Sequence, residues 1–442
     1  MTVSVPLPFV QSMHDAALQR SLLPGSGLAW LDAARADALQ AFAARGLPDQ
    51  RNELWKYTSL RALAQRVYAA GDGEAASRAV DAVLLPPPAV QGPHAVFING
   101  VFRADISSLD ALPDGVTVQS LAAALRDAPE PLRFLLDRRA DDDDDGFTLL
   151  NRALAADGLI LKIAPGVEVR DPLHIVHLGL AAEAATAFHL RSLVEVGEGA
   201  RLRIVEHHVG EAQTGHLANI VRDISVHEKA RLDWTVIQQA GADATLLRRS
   251  KVRLYDDAAL DLHALELGGK LVRHEIRSEL VGARSRFNSR GAFVLHGRQH
   301  ADMEVLVTHR SRDSVSNAVW RGVADNRARG VVHGRILVQP GADGADGSFY
   351  NKNLLLSPDA EIDTRPALEI YADEVKANHG ATVGQLDENV LFYLRSRGIP
   401  LETARRILVR AFCLVVLDGM EPASLREHCE ALLAEQLPEV SA

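Results

Sequence analysis

The chain has 442 residues and a mass of 47.9 kDa, more than the roughly 250 to 300 residues that one compact core supports, so we expect several regions or an elongated repeat. Its formal net charge of -10 argues against nucleic-acid binding, and its 24% of charged residues is typical of soluble globular proteins. The absence of a basic, apolar leader and of an apolar run long enough to span a bilayer excludes membrane proteins and predicts a cytoplasmic location.

Residues 1–85 are predicted to form a helical N-terminal region. Apolar residues recur every three or four positions in PFVQSMHDAALQRSLL and LAWLDAARADALQAFAARG, and Gly46 is placed to end the second helix. The stretch RNELWKYTSL continues this pattern. Its Trp55, Tyr57 and Leu60 could line a binding surface, but this spacing is more typical of a core.

Residues 86–158 are predicted to be a linking region of mixed helix and strand. Prolines 86–88 break regular structure, and in HAVFINGVFRADIS the residues Asn99 and Gly100 fit the two positive-φ positions of a type I′ hairpin. The acidic run 141–145 is expected to be a solvated loop without a bound cation. A short helix should follow and end near Gly158.

From residue 159 to 380 the apolar period changes to two, which indicates strands. Four segments repeat a polar turn followed by an alanine, at Ala200, Ala230, Ala258 and Ala283, with spacings of 30, 28 and 25 residues, and Ala360 repeats the turn later. This period is typical of stacked repeats. The sequence therefore predicts a mainly β fold, with a right-handed β-helix or β-solenoid core between two helical regions. The unpaired edge of its last coil is a candidate dimer interface.

Histidines are frequent, with 17 in the chain, and several lie in the β region. No pair has a carboxylate or cysteine at a recurring ligand spacing, and Gly297 predicts a turn between His296 and His300. We therefore expect solvated or hydrogen-bonded surface side chains and assign no metal ligand among them. These residues are His207, His208, His263, His296 and His300.

Common catalytic motifs are absent from the sequence. ELGGKLVRH lacks the spacing of a P-loop, and neither G-x-S-x-G nor H-E-x-x-H occurs, so the chain is not expected to bind ATP through a P-loop or to be an enzyme. The alternative is a polysaccharide-active β-solenoid enzyme with carboxylates in DGADGSFYNKN, Asp343 to Asn353. Turns are the more common role of such acidic, glycine-rich stretches.

Residues 381–442 are predicted to be a C-terminal helical region. Asp387 is placed to cap the first helix and Gly398 to end it. A second helix should start at Glu402, and Cys413 and Cys429 are expected in the core, too few for a disulfide framework or a thiolate cage. The expected apolar face of the second helix comprises Ala404, Ile407, Leu408, Ala411, Leu414 and Val415. That of the third helix comprises Leu425, Cys429, Leu432 and Leu433.

Three motifs carry a family resemblance: ELWKYTSL, KNLLLSPDAEIDTRPALEIYADEV and KANHGATVGQLDENVLFYLRSRGIP. They resemble the SufD subunits of the bacterial iron–sulfur cluster assembly scaffold, over nearly the whole chain. The resemblance implies a non-catalytic scaffold that pairs through its β-helix edge with a SufB-like paralogue, or with itself. It also implies a SufC-like ATPase on the C-terminal helices, where we expect the contact residues Phe392, Tyr393, Leu394 and Arg397. SufB-type chains are expected to carry more cysteines, which favours the D-type.

The histidine of the K-x-x-H-G-A-T motif falls on His379, and the resemblance implies a role in building the nascent cluster at the subunit interface. A neutral imidazole can bind iron, with cysteine or carboxylate ligands from the partner chain, and a hydrogen bond at its other nitrogen would set the tautomer. The alternative is a structural histidine that caps nearby backbone. Ala377 replaces a cysteine found in some relatives. No stably bound cofactor is expected, only transient iron or a transient cluster.

Overall fold

The computed structural model describes residues 7–18, 23–70, 92–137, 145–211 and 215–437. The predicted division between residues 85 and 86, prolines 86–88 and acidic residues 141–144 lie outside this part of the chain. The prediction of domain limits therefore stays a prediction.

The N-terminal region is helical. Helices α1 (Pro8–Leu18) and α2 (Ala29–Arg45) are followed by a short 3-10 turn, Glu53–Trp55, and by α3 (Arg61–Ala64). Gly46 ends α2 as predicted, with a φ of 67° and its N–H donated to the carbonyl of Phe42. Trp55 and Leu60 are buried, whereas Tyr57 is 37% exposed.

The linking region caps the first coil. Before it, strand β1 (Ala69–Ala70) of the N-terminal region pairs with a later strand. Within the linking region, β2 (His94–Ile98) and β3 (Val101–Phe102) form the predicted two-residue hairpin, in which Asn99 and Gly100 have φ values of 45° and 82°. The remaining elements are 3-10 turns Ala104–Ile106 and Glu130–Leu132, strand β4 (Val116–Ser120), and helices α4 (Leu121–Asp127), α5 (Arg133–Leu136) and α6 (Gly146–Leu154).

Sixteen further strands form a β-solenoid of eight coils, each coil giving one strand to each of two parallel sheets. Sheet A contains β5 (Leu159–Ile163), β7 (Thr186–Val196), β9 (Leu217–Val226), β11 (Thr245–Leu254), β13 (Leu271–Leu280), β15 (His300–His309), β17 (Arg329–Val338) and β19 (Glu361–Ile370). Sheet B contains β6 (Leu173–Gly179), β8 (Arg201–Gly210), β10 (Arg231–Gln239), β12 (Ala259–Glu266), β14 (Arg286–Leu295), β16 (Val315–Ala324), β18 (Asp346–Leu355) and β20 (Lys376–Gly384).

The turns that lead into sheet B carry the sequence repeat. Ala200, Ala230 and Ala258 are fully buried immediately before their strands, which pair in register. The predicted fourth member, Ala283, is wrong: Ser285 precedes β14 and is the buried equivalent. Ala360 precedes β19, so it belongs to the opposite set of turns, which lead into sheet A.

Apolar side chains fill the space between the sheets, and the outer faces are also covered. Ala187, Leu217 and Leu247 of sheet A pack against the N-terminal helices and α6. Val205 and Ile237 of sheet B pack against the C-terminal helices. Where these helices pack, both sheets are thus buried on both faces, as is usual for parallel sheets.

The C-terminal region has helices α7 (Glu388–Ser396), α8 (Leu401–Leu414) and α9 (Ala423–Gln436), with a 3-10 turn at Val415–Leu417. Asp387 caps α7 and Gly398 follows its end with a φ of 83°, as predicted. The face predicted for α8 is wrong in part: Ile407 is 44% exposed, whereas Val409 and Cys413 are buried. The predicted face of α9 is buried.

The fold class is confirmed: the chain is mainly β, with a solenoid of eight coils between helical regions. Among the described residues, no helix is long and apolar enough to cross a membrane.

Candidate functional site

The two sheets end at β19 and β20, whose far edges have no strand beside them among the described residues. Glu361, the first residue of β19, and Tyr371, the residue after its end, donate their N–H groups back to the carbonyls of Ala328 and Val338. Backbone groups alternate sides along a strand, so the even-numbered residues of β19 face the open edge. Lys376 likewise donates back to Ala345, so the odd-numbered residues of β20 face it.

Pro366 fits this arrangement, because its missing N–H falls at an open-edge position of β19. Proline within a sheet is confined to such positions. Large apolar side chains also remain exposed around this end, with Tyr371 exposed by 62%. The others are Tyr350, Ile370 and Val383. We call β19, β20 and their unpaired edges the open end.

His379 is an exposed residue within β20, at the centre of the open end, rather than at the joint between strand and helix. It pairs in register with Phe349, a residue of the core between the sheets. Paired residues of neighbouring strands share a face, so His379 stands on the inner face. Ala377 and Ala381 flank it on that face.

Phe349, the residue paired with His379 in the preceding coil, indicates which residue of sheet A faces His379. A Cβ atom at Gly334 would lie 2.2 Å from the ring of Phe349, so that ring spans the core from sheet B to sheet A. Gly334 pairs with Pro366. In the last coil, His379 therefore faces Pro366 across the open core. The ring of Phe349 lies next to them in the preceding coil.

Three of the predicted contact residues lie on α7, which follows β20 in the chain, and the fourth, Arg397, is the C-cap of that helix. Phe392 and Tyr393 are 72% and 56% exposed, and α7 has no buried residue. The guanidinium of Arg397 lies 5.2 Å from the centre of the Tyr393 ring, and Leu394 is partly buried. Phe392, Tyr393 and Arg397 thus form an exposed aromatic and cationic surface beside the partly buried Leu394, and we call these four residues the α7 patch.

The prediction that the histidines of the β region are surface side chains is wrong for several of them. His207, His208 and His263 are buried. His174 Nδ1 lies 2.9 Å from His207 Nε2, and burial lowers the pKa of His174 to about 4 and that of His207 to about 3. His296 and His300 are separated by the predicted turn, with Gly297 at a φ of 58°.

A cluster of buried charges inside coils one to three was missed by the sequence reasoning. His177, Glu206 and His208 place ligand-type atoms within 4.8 Å of one another. Burial opposes ionisation of Glu206, but the adjacent Arg222 guanidinium holds the pKa of that carboxyl well below its ordinary value. Charged residues at inner positions of strands were the available signal.

This cluster fits an internal ion pair better than a metal site. Arg222 donates to Glu206 Oε1, and Trp234 Nε1 donates to Oε2 at 3.2 Å. A divalent cation would compete with the guanidinium for the same carboxylate in a buried site, leaving its charge uncompensated. In the fourth coil Arg248 and Glu266 form a second buried pair, 2.5 Å apart.

The ELWKYTSL motif fastens the N-terminal region to the outer face of sheet A. The guanidinium of Arg273 lies 4.1 Å from the centre of the Trp55 ring, and Thr58 Oγ1 donates to Asp302. Glu53 pairs with Arg365 of β19, so the contacts between the N-terminal region and sheet A extend to the open end. The motif is structural in this arrangement.

The two cysteines are core residues, as predicted. Both are buried, and burial raises the pKa of Cys413 and of Cys429 to about 12. Neither thiol is poised to act as a thiolate at neutral pH.

The stretch considered for polysaccharide cleavage forms a turn and a strand. Asp343 lies in the turn, and Asp346 starts β18, whose inner residues include the buried Asn351 and Asn353. No specific observation on these residues favours that alternative.

Comparisons with known proteins identify the family of this chain. The family model described as "SUF system FeS cluster assembly, SufBD core domain" matches residues 179–412, and "SufBD protein N-terminal region" matches residues 17–175. The chain is 28% identical over 402 residues to the iron–sulfur cluster assembly protein SufD of Escherichia coli, covering 90% of this chain and 92% of that protein.

Further relatives extend this similarity. A SufBD family iron–sulfur cluster assembly protein of Synechocystis is 28% identical over 420 residues, covering 93% of this chain and 92% of the relative. One from Mycobacterium tuberculosis is 27% identical over 400 residues, with 88% and 89% covered. Because the core model matches more than half of the chain, the chain belongs to the SufBD family of the SUF iron–sulfur cluster assembly system.

Proposed function

We propose that this chain is a non-catalytic, cytoplasmic scaffold subunit of iron–sulfur cluster assembly, and that its open end is the place of assembly. The observation that carries the proposal is that His379 stands at the centre of two long, unpaired strand edges. An unpaired edge is a template for another chain, and imidazole is a ligand for iron. Iron and the nascent cluster are cargo here rather than a resident cofactor.

The partner at the open end is a SufB-like paralogue, with a second copy of this chain as the alternative. Exposed Tyr371 and Val383 would be covered on pairing, and the free backbone groups of β20 would gain acceptors. Thiolate ligands must come from that partner, because Cys413 and Cys429 are buried with raised pKa values.

A SufC-like ATPase is proposed to bind the α7 patch. The sequence has no P-loop motif, so nucleotide hydrolysis would belong to the partner. Aromatic and arginine side chains are enriched where protein partners bind, and Phe392, Tyr393 and Arg397 are such residues on an exposed helix.

His379→Ala tests the assembly site, with Asn378→Ala as its control. Asn378 is the exposed neighbour in β20 and lies on the outer face. We expect the His379 variant to fold and pair normally but to hold about tenfold less iron and sulfide per purified complex, while the Asn378 variant keeps both. Full cluster content with a lowered melting temperature would instead assign His379 a structural role.

Phe392→Asp tests the α7 patch in a pull-down with the ATPase. Phe134→Asp is the control, because Phe134 is also 61% exposed but lies on α5 in the linking region. We expect ATPase capture to fall about tenfold or more for the first variant alone. Equal capture by both folded variants would remove Phe392 from the docking surface.

A further inference from the structure

A surface groove of about 730 Å³ lies at the turns that lead from sheet A into sheet B in the first coils of the solenoid. This volume is typical of small-molecule sites, which measure about 300 to 1,000 Å³. The open end belongs to the last coil, so the groove is separate from the proposed place of assembly. The residues of its lining that bear on binding are Lys162, Ala164, Glu195, Gly197, His227 and Tyr255.

The rings of His227 and Tyr255 form a flat wall of this groove. Their centres lie 5.0 Å apart and their planes differ by 3°. The register of sheet A continues one residue past its strands, because the N–H of His227 donates to the carbonyl of Val196. The position next to His227 in the preceding coil is therefore Gly197. Since Gly197 has no side chain, nothing at that position covers the face of the imidazole that is turned away from Tyr255.

The gap beside His227 has the width of one aromatic ring. Gly197 neighbours Ala164 of the first coil in turn, because its N–H donates to the carbonyl of Ile163. Ala164 and His227 are thus two strand spacings apart, about 9.6 Å. A ring stacked between two walls needs about 3.5 Å on each side, or about 7 Å in all. The side chain of His227 is 37% exposed, so a ring from solvent can reach it.

The groove also offers an acceptor beside a donor. Glu195 Oε2 lies 3.8 Å from Lys162 Nζ, and Glu195 Oε1 lies 3.4 Å from His227 Nε2. Both distances exceed the usual N–H···O limit of about 3.2 Å, so the carboxylate and the ammonium keep capacity for a ligand. Glu198 and Glu228 add negative charge to the lining, which disfavours a phosphate group.

We propose that this groove binds a planar, phosphate-free heterocycle of the purine type, stacked on His227. An N–H on the edge of the ring donates to the Glu195 carboxylate, and Lys162 donates to the neighbouring acceptor of the same edge. Aromatic side chains stack on any flat ring, so the edge contacts supply the selectivity. Tyr255 supports the imidazole from its other side, so the stacking wall exists before the ligand binds.

Inosine is the probe that tests this site, because its base carries an N–H beside a C=O. Saturation-transfer NMR on the full chain should show transfer to the base protons that saturates as inosine is added. In 1-methylinosine a methyl group replaces that N–H, so we expect it to bind about tenfold more weakly. An inosine signal that does not saturate, or equal binding of the two nucleosides, would overturn the proposal.

Three variants locate the site. His227→Ala removes the stacking wall and should weaken inosine binding about tenfold or more, with the melting temperature kept because the side chain is partly exposed. Lys162→Met removes the donor but keeps the apolar stem, and should weaken binding about fivefold. Lys229→Met is its control, because Lys229 is 69% exposed and pairs with Glu198 at 3.9 Å. It should bind inosine as the wild type does.

The outcomes are independent of the proposed role in cluster assembly. Wild-type inosine binding by a folded His227→Ala variant would overturn the stacking site, and equal losses in Lys162→Met and Lys229→Met would overturn the edge contact. His379→Ala should bind inosine normally whether or not it loses its cluster. The groove and the open end can therefore be refuted separately.

Discussion

The two ends of the solenoid differ in whether the edges of their sheets are short and covered or long and unpaired. At the first coil, sheet B ends in the two-residue strand β3, and sheet A ends in β4, which runs antiparallel to β5 and leads directly into α4. At the last coil, β19 and β20 keep ten and nine residues and pair with no further strand in the part of the chain that the structure describes. Short and covered edges prevent unwanted pairing, so the full-length edges support the partner interface that we propose for this end.

The interiors of the two halves differ as well. The early coils enclose the ion pairs of Glu206 with Arg222 and of Arg248 with Glu266. Toward the open end, the inner polar residues are uncharged amides, Asn351 and Asn353, which bond to each other. Asn353 also donates to the carbonyl of Thr382 in β20. The interior of the early coils therefore contains paired charges, whereas the interior next to the open end contains neutral hydrogen bonds.

Breaking a buried charge pair should give the largest effect on stability. Arg248→Met leaves Glu266 without its guanidinium in a fully buried site, which should cost about 3 to 5 kcal/mol of unfolding free energy. Arg253→Met in the same strand is the control, because Arg253 pairs with Glu279 at the surface, where such pairs contribute about 0 to 1 kcal/mol. Urea unfolding measures both variants. Equal losses of unfolding free energy would mean that the buried pair contributes no more to stability than the surface pair.

Pairing at the open end should be sensitive to a single backbone group. Ala381→Pro removes an N–H that faces the open edge, so the isolated chain should keep its fold while affinity for the partner solenoid falls about 10- to 100-fold. Ala381→Ser retains the N–H and is the control. Sedimentation of the paired complex measures the affinity, and wild-type affinity in the proline variant would place the interface elsewhere.

The sequence predicted the features that depend on local rules. The solenoid followed from the repeat period, the hairpin from Asn99 and Gly100, and the helix cap from Asp387. The sequence could not predict which outer faces of the sheets are covered. Alternation along a strand separates inner from outer residues, but it does not show which other elements pack on the outer face. His207 lies on an outer face that the C-terminal region covers, so it is buried rather than solvated.

The candidate site was only partly accessible from sequence for the same reason. His379 came from a motif, but its place on the inner face needed the register of β18 with β20. The face of α8 was displaced because sheet B, and not the helical period alone, decides which residues are covered. The pairing of Glu206 with Arg222 joins neighbouring coils and follows only from the stacking.

Acid should weaken the early coils through His174 and His207. Burial lowers both pKa values, to about 4 and about 3, and neighbouring His94 and His428 lower the pKa of His174 further. A folded-state pKa below the unfolded value of about 6.5 means that the unfolded chain binds more protons, so stability falls as pH drops below about 6.5. Each histidine should cost about 1 kcal/mol between pH 7.5 and 5.5.

Urea unfolding at these two pH values checks this. His207→Gln should reduce the pH dependence by about 1 kcal/mol, and hydrogen exchange at pH 5.5 should increase first in β6 and β8. The same pH dependence in the variant and the wild type would show that acid acts through other groups.

The smallest effect on overall stability is expected at the cap of α7. Asp387 accepts from the N–H groups of Asn389 and Val390, but α7 buries no residue, so Asp387→Ala should loosen this helix by about 1 kcal/mol without changing the melting temperature. Asp145 caps α6 in the same way, yet nearly all of α6 is buried, and Asp145 also pairs with Arg249 at 2.9 Å. Asp145→Ala should therefore lower the melting temperature. Hydrogen exchange should show that the effect of Asp387→Ala is confined to α7. A lowered melting temperature in Asp387→Ala would show instead that α7 unfolds cooperatively with the rest of the chain.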